Sequence, residues 1–296
     1  GAALFAGGLI FHLRGSLRWV FLAGLLVSGV VTQYFSAADY RDFWRVQREA
    51  WWQLAWRAPQ IQDGTTLVVA SLGGYQLPEE YEVWGPANMI YRPGSKLTIP
   101  GQVLFSDIWI DLANEEKENR AVRGTVRVPR DYGKVVILSQ PTHGECLHLL
   151  DPAHPEQWIA ESAQVQSIAQ YSDIDLINTT EAGVVPPVKV FGAEPEHDWC
   201  FYFQKIELAR QRGDWQTAAA LADEALDRGL LPSQIAEWLP LLDAYVHVGD
   251  LDKTDLIVKE MREDKRAHLG LCTHLKALNA QSGEVDPRFD LICSHD

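Results

Sequence analysis

Hydrophobic and polar positions follow three rhythms along this chain. Gly1 to Phe11 is an apolar run, His12 to Arg18 a polar break, and Trp19 to Phe35 a stretch without any charge. As a helix rising 1.5 Å per residue, the second run is about 25 Å long, enough to cross a bilayer once extended by a turn. Gly24 and Ser28, four apart on one face, would admit a neighbouring membrane helix. We expect residues 1–35 to hold one complete span preceded by the end of another. The first residue is Gly rather than Met, so the chain reads as a fragment. A signal peptide with its apolar core at Val20 to Val27 is a weaker reading, because the run continues well past that length. A buried helix of a soluble domain is the remaining alternative. Arg14 and Arg18 form a purely basic loop, which favours the cytoplasmic side and places the C-terminal region outside it. Arginines 41, 45, 48 and 57 follow the span, interleaved with Asp39, Asp42 and Glu49, and weaken that comparison.

Residues 36–60 predict an amphipathic interfacial helix. Tyr40, Phe43, Trp44, Trp51 and Leu54 recur at spacings of three, four and seven, while Asp42, Arg45, Glu49, Gln53 and Arg57 mark the opposite face. Tryptophans 44, 51, 52 and 56 suit a bilayer interface, where the ring is buried and the N–H stays wet. Equally, they would suit the core of the following domain. Pro59 ends the helix in either case.

From Asp63 the rhythm shortens. Thr65 to Ala70, Lys134 to Ser139 and Glu145 to Asp151 read as strands, and Val122 to Val128 as a half-buried strand with charged residues outward. Asp131, Tyr132 and Gly133 predict a hairpin turn, and Pro86 to Tyr91 a short helix. The sum is a small α+β domain over 61–190, closed by the linker residues VVPPV and FGAEPE.

Beyond it the period becomes helical. Cys200 to Arg212, a Gly213-Asp214 turn and Gln216 to Arg228 form one hairpin; Leu239 to Val248, Gly249-Asp250 and Asp252 to Glu263 form a second. Ala218, Ala222 and Ala225 place small residues on one face, permitting close helix contact. Gly213, Gly249 and Gly283 recur at the period of the tetratricopeptide repeat, which this segment resembles. Tyr245 fills the repeat's aromatic slot, and Ala218 and Ala225 its small-residue slots. Ala209 and Thr254 depart from the pattern, Pro232 arrives late, and Pro287 cuts the third unit short. The resemblance implies an all-α tetratricopeptide-like domain over 199–296.

Charge narrows the function. The net charge is −14, and all 40 acidic residues follow position 38, so a nucleic-acid partner is excluded on electrostatic grounds. Four scattered cysteines (146, 200, 272 and 293) suggest neither a disulfide scaffold nor a redox pair. The sequence holds no P-loop, dinucleotide fingerprint, HExxH or GxSxG, so no cofactor and no catalytic residue is assigned. His143, Cys146, His148 and His154 have ligand chemistry for zinc, yet closed sites usually have four well-spaced ligands, and a buried Cys beside a surface His is the plainer reading. No metal is therefore assigned. The pairs Cys272/His274 and Cys293/His295 diverge on a helix and read as chance. Asn178 to Thr180 is a glycosylation sequon, and Glu115, Glu116, Glu118 and Arg120 a solvated run. Asp107, Trp109 and Asp111 could line a carbohydrate surface.

The order of these segments, a span, WWQLAWRAPQIQDGTTLVV, strands around CLHLLDP, then EPEHDWCFYFQKIELARQRGDW, resembles the C-terminal region of large polytopic bacterial membrane proteins similar to GT-C glycosyltransferases. That resemblance implies a parent acting on lipid-linked sugars through acidic residues in early membrane loops absent from this chain. It also implies that this part, non-catalytic by itself, shapes access of a glycan acceptor or a partner. The alternative is a membrane-anchored scaffold that binds a protein partner through its helical repeats.

Overall fold

The computed structural model describes residues 7–8, 10, 12, 15–94, 97–119, 121–123, 126–158, 161–262, 272 and 274–275. Arg14, Arg120, Gly283, Pro287, Cys293 and His295 lie outside the described residues, as does the expected third repeat. The chain divides into two compact units, Gly1–Gln47 and Arg48–Asp296.

In the first unit, the expected span and the expected interfacial helix are one element, α1 (Ser16–Arg57), whose last turns belong to the second unit. No Gly or Pro interrupts Val31 to Arg57, so nothing in the sequence stops the hydrogen-bond ladder. At 1.5 Å per residue its 42 residues span about 63 Å. It is the one described helix long and apolar enough to cross a membrane. Trp19, Leu26 and Val30 are about 70% exposed, as side chains that face lipid would be.

The second unit is built on a four-stranded sheet. Strands β1 (Thr66–Ser71), β2 (Gly101–Val103), β3 (Val135–Ser139) and β4 (His148–Leu149) lie in the order β2-β1-β3-β4. Val68 pairs in parallel with Gln102 on one side and with Ile137 on the other; Leu138 pairs antiparallel with Leu149. A central parallel strand is covered on both faces, which explains why Leu67, Val68 and Val69 are all buried and β1 reads as a continuous apolar run. On one face, Val68, Val135 and Ile137 meet helices α3 (Ile108–Ala113) and α4 (Ala163–Ala169) through Ile108, Leu112, Val165 and Ile168. On the other, Val69 and Leu138 meet Trp51 and Leu54 of α1 around a small apolar void.

Three local expectations change. The helix expected at 86–91 is α2 (Tyr81–Tyr91), with Pro86 inside it. Val122 to Val128 is not one strand: Ala121–Arg123 and Val126–Arg127 pair with each other, and the sequence between them contains Gly124, a residue that weakens strand interiors. Asp131 to Gly133 is a turn, closed by Gly133 N donating to Asp131 Oδ1 at 3.0 Å, but it joins strands that pair elsewhere, with Lys117–Glu118 and with β1, rather than a hairpin.

The C-terminal helices follow their expected positions: α5 (Trp199–Gln211), α6 (Trp215–Asp227), α7 (Leu239–Val248) and α8 (Leu251–Arg262), each packed on the next and α5 also on α7. Gly213 and Gly249 have φ of 67° and 77°, a backbone that favours glycine, and Asp214 then caps α6 by accepting from Thr217 N at 3.1 Å. Ala218, Ala222 and Ala225 are completely buried, as close helix contact requires. The third helix begins at Leu239 as expected, after a 3-10 turn (Ile235–Trp238), because Pro240 has no N–H to give and fits only a first turn.

Candidate functional site: a polar cleft on a buried ionic network

Six segments of the second unit, among them the one carrying Ile174, converge on a cleft of about 190 Å³. The last turn of α1 supplies Arg57, the segment after β4 supplies Asp151 and His154, the end of α5 supplies Arg210 and Gln211, and the helices beyond supply Trp215, Asp243 and His247. Arg57 and Gln53 were expected on a solvent face. Both are buried, at 3% and 6% exposure, because α1 ends with Trp51, Trp52, Leu54, Ala55 and Trp56 packed all round it. Trp52 Nε1 donates to Phe191 O (3.2 Å) and Trp56 Nε1 to Glu194 Oε1 (2.9 Å), so these indoles are tied to the rest of the second unit.

The network beneath the cleft is ionic. Arg210 donates to Glu207 (Nη2–Oε2, 2.8 Å) and reaches Asp243 (Nη1–Oδ2, 3.4 Å), whose other oxygen is bonded to His274 Nε2. Burial opposes the charge on Glu207 and Asp243, but Arg210 and Arg57 beside the first, and His274 and Arg210 beside the second, outweigh it and hold both carboxyls below the usual range. Arg57 differs. Its hydrogen-bond partner is neutral, Gln211 Oε1 at 2.7 Å, and burial draws its pKa down to about 10 against the pull of Glu207. His247, stacked on Trp215 with ring centroids 3.7 Å apart, braces an aromatic wall. The acids of the cleft are engaged, Glu207 and Asp243 with Arg210 and Asp151 with Ala153 N at 2.9 Å.

A second buried carboxylate joins the sheet to the helices. Glu237, fully buried, accepts from Cys146 N (3.1 Å), Trp199 Nε1 (2.6 Å) and Ser233 N (3.0 Å), with His148 Nε2 at 3.6 Å. Burial disfavours both charges of that last pair, yet the pairing prevails: His148 is raised above, and Glu237 lowered below, its ordinary range. The linkage signs follow. The contribution of Glu207, Glu237 and Asp243 is complete above the unfolded carboxylate range of about 4 and is lost as pH falls through their lower folded values. That of His148 is complete below about 6.5 and is lost as pH rises through its higher folded value. Thermal melts should therefore show a broad stability maximum with both an acid and an alkaline limb, and His148→Gln should flatten the alkaline one; an unchanged alkaline limb would remove His148 from the account.

The zinc arrangement does not assemble. Cys146 is bonded to Cys200, which takes its sulfur out of ligand chemistry, and His143 lies on an exposed turn. His148, read as a surface residue, is 6% exposed. Cys272 is also disulfide-bonded. Cys146 and Cys200 thus pair because the fold joins segments 54 residues apart. His274, dismissed with its neighbour as chance, is a member of the ionic network. Asp107, Trp109 and Asp111 sit at or in α3, with Trp109 53% exposed, outside the cleft. Glu118 is more than a solvated charge: it accepts from Arg130 (3.0 Å), whose side chain is 1% exposed and also bonds Glu80. Asn178 carries an Asx turn, accepting from Thr180 N at 3.1 Å.

The residues that build the cleft were not singled out from sequence. A signal exists for one: Asp243 is a lone acid within the apolar run Leu239 to Val246. Compared with known proteins, the chain matches no family model, no curated protein and no solved structure.

Proposed function

We propose that this chain is the non-catalytic C-terminal region of a membrane protein of the glycosyltransferase-like kind, anchored by α1, folded outside the cytoplasm, and using the polar cleft to position an acceptor. The observation that carries this reading is the state of the cleft: a ligand-sized polar space whose carboxylates are already committed, which suits recognition without turnover. The Cys146–Cys200 bond supports the extracytoplasmic side, since disulfides persist in oxidising compartments. The stacked hairpins, read as tetratricopeptide-like, support a second reading in which they bind a protein partner; Leu251 and Leu256 on α8 are about half exposed.

Two measurements test the first reading. In spheroplasts carrying the protein, external protease should digest the region after α1 without lysis, and the purified chain in detergent should turn over no lipid-linked sugar. Digestion only after lysis overturns the sidedness. Turnover abolished by Asp107→Asn or Asp111→Asn would reveal a catalytic site and sink the non-catalytic assignment.

A further inference from the structure

Arg57 is the anomaly of the cleft. It is 3% exposed, yet among the described residues it forms no ion pair, in contrast to Arg210 beneath it with two carboxylates. Arg57 is thus buried without a direct ion pair, compensated at longer range by Glu207 and Asp151, and such a guanidinium keeps donors for a further acceptor. Among the described residues its one hydrogen bond, to Gln211 Oε1 at 2.7 Å, uses Nη1 only; Gln211 is itself fixed by donating to Ile174 O at 2.8 Å. A guanidinium presents five donors in a planar fork that matches a carboxylate.

The surroundings limit the anion. Asp151 lines the same cleft, and Glu207 and Asp243 lie beneath or beside it, so a doubly charged phosphate group would meet three carboxylates. A singly charged carboxylate meets less of that repulsion than a doubly charged phosphate. The cleft, with a volume of about 190 Å³, has room for one six-membered sugar ring. Trp215, braced by His247 at 3.7 Å and within 8° of parallel, offers a rigid aromatic surface for the C–H face of such a ring. Asp151 and His154 offer acceptor and donor groups for hydroxyls.

We infer that the cleft is a binding site for an acidic monosaccharide unit, a hexuronate, with its carboxylate on Arg57 and its ring against Trp215. The inference rests on the cleft being the binding site of this region. It adds the ligand class. Burial, which draws Arg57 down to about 10, is offset when the carboxylate arrives, so the bound form holds its proton more firmly.

Isothermal titration of the full chain in detergent with glucuronate and galacturonate tests this, with glucose and inorganic phosphate as comparisons. Binding of a uronate at least tenfold tighter than glucose or phosphate is expected. Arg57→Gln should weaken it at least tenfold, and Trp215→Ala several-fold. Should Arg57→Gln fail to fold, judged by near-ultraviolet circular dichroism, Trp215→Ala and the glucose comparison still decide. Equal affinity for glucose, preference for phosphate, no uronate binding up to tens of millimolar, or binding indifferent to Trp215→Ala each overturns the assignment. Free uronate and an oligosaccharide ending in uronate separate the two sources of the same chemistry: tighter binding of the oligosaccharide supports a glycan end as the natural ligand, and equal binding supports the free sugar. Failure here leaves sidedness and lack of turnover untouched, and failure of either of those leaves uronate binding measurable.

Discussion

Replacing Cys146 and Cys200 together by alanine lowers the stability of the folded unit by about 4 kcal/mol, the chain-entropy value for a loop closed over 54 residues. The bond ties the segment between β3 and β4 to the first turn of α5, and so the sheet to the helical hairpins. Both partners are buried, Cys146 completely and Cys200 at 9% exposure, so part of the loss comes from packing as well as from the freed unfolded chain. Urea denaturation of the double variant, beside the parent with and without reductant, measures it. A loss below about 1 kcal/mol would show that the polar bridge nearby already holds the two halves. In that bridge Gln204 Nε2 donates to Leu147 O at 2.6 Å, and Leu147 N donates to Gln53 Oε1 at 2.6 Å.

What the sequence disclosed was what local forces decide. The uncharged run from Trp19 to Phe35, the β-branched strands at Thr66–Ser71 and Val135–Ser139, and the Gly-Asp turns at 213 and 249 each carry their signal within a few residues, and each appears where expected. The cleft does not work that way. Arg57, Gln53, Glu237 and Asp243 are polar residue types that a binary pattern assigns to solvent, and their burial depends on partners supplied by other segments, Gln211 and Leu147 for the first two. The end of α1 did contain a hint, for apolar residues at 51, 52, 54, 55 and 56 leave no uncovered stripe, and a helix that is apolar all round is a buried one. The cysteines teach the same lesson: spacing in sequence says nothing about a pair that only the fold brings together.

Arg210→Met should be the most damaging single change, costing about 3–5 kcal/mol at neutral pH. Methionine fills similar space, so little of the loss is cavity; the cost is electrostatic. Without the guanidinium, Glu207 loses its 2.8 Å partner and Asp243 keeps, among the described residues, His274 as its cationic partner. Both carboxyls are held below their ordinary range partly by Arg210, so both must rise in the variant. The sign of the pH dependence follows. In the parent, these groups contribute stability that is complete above about pH 4 and lost as pH falls through their folded values. In the variant, raised folded values reverse that slope, because protonation then relieves buried, poorly compensated charge. The stability gap between the two proteins should therefore narrow between pH 7 and pH 4.5, and urea midpoints at those two values measure it. A gap that stays constant would mean that the loss comes from packing around Arg210, and that Arg57 and His274 suffice to keep both acids charged.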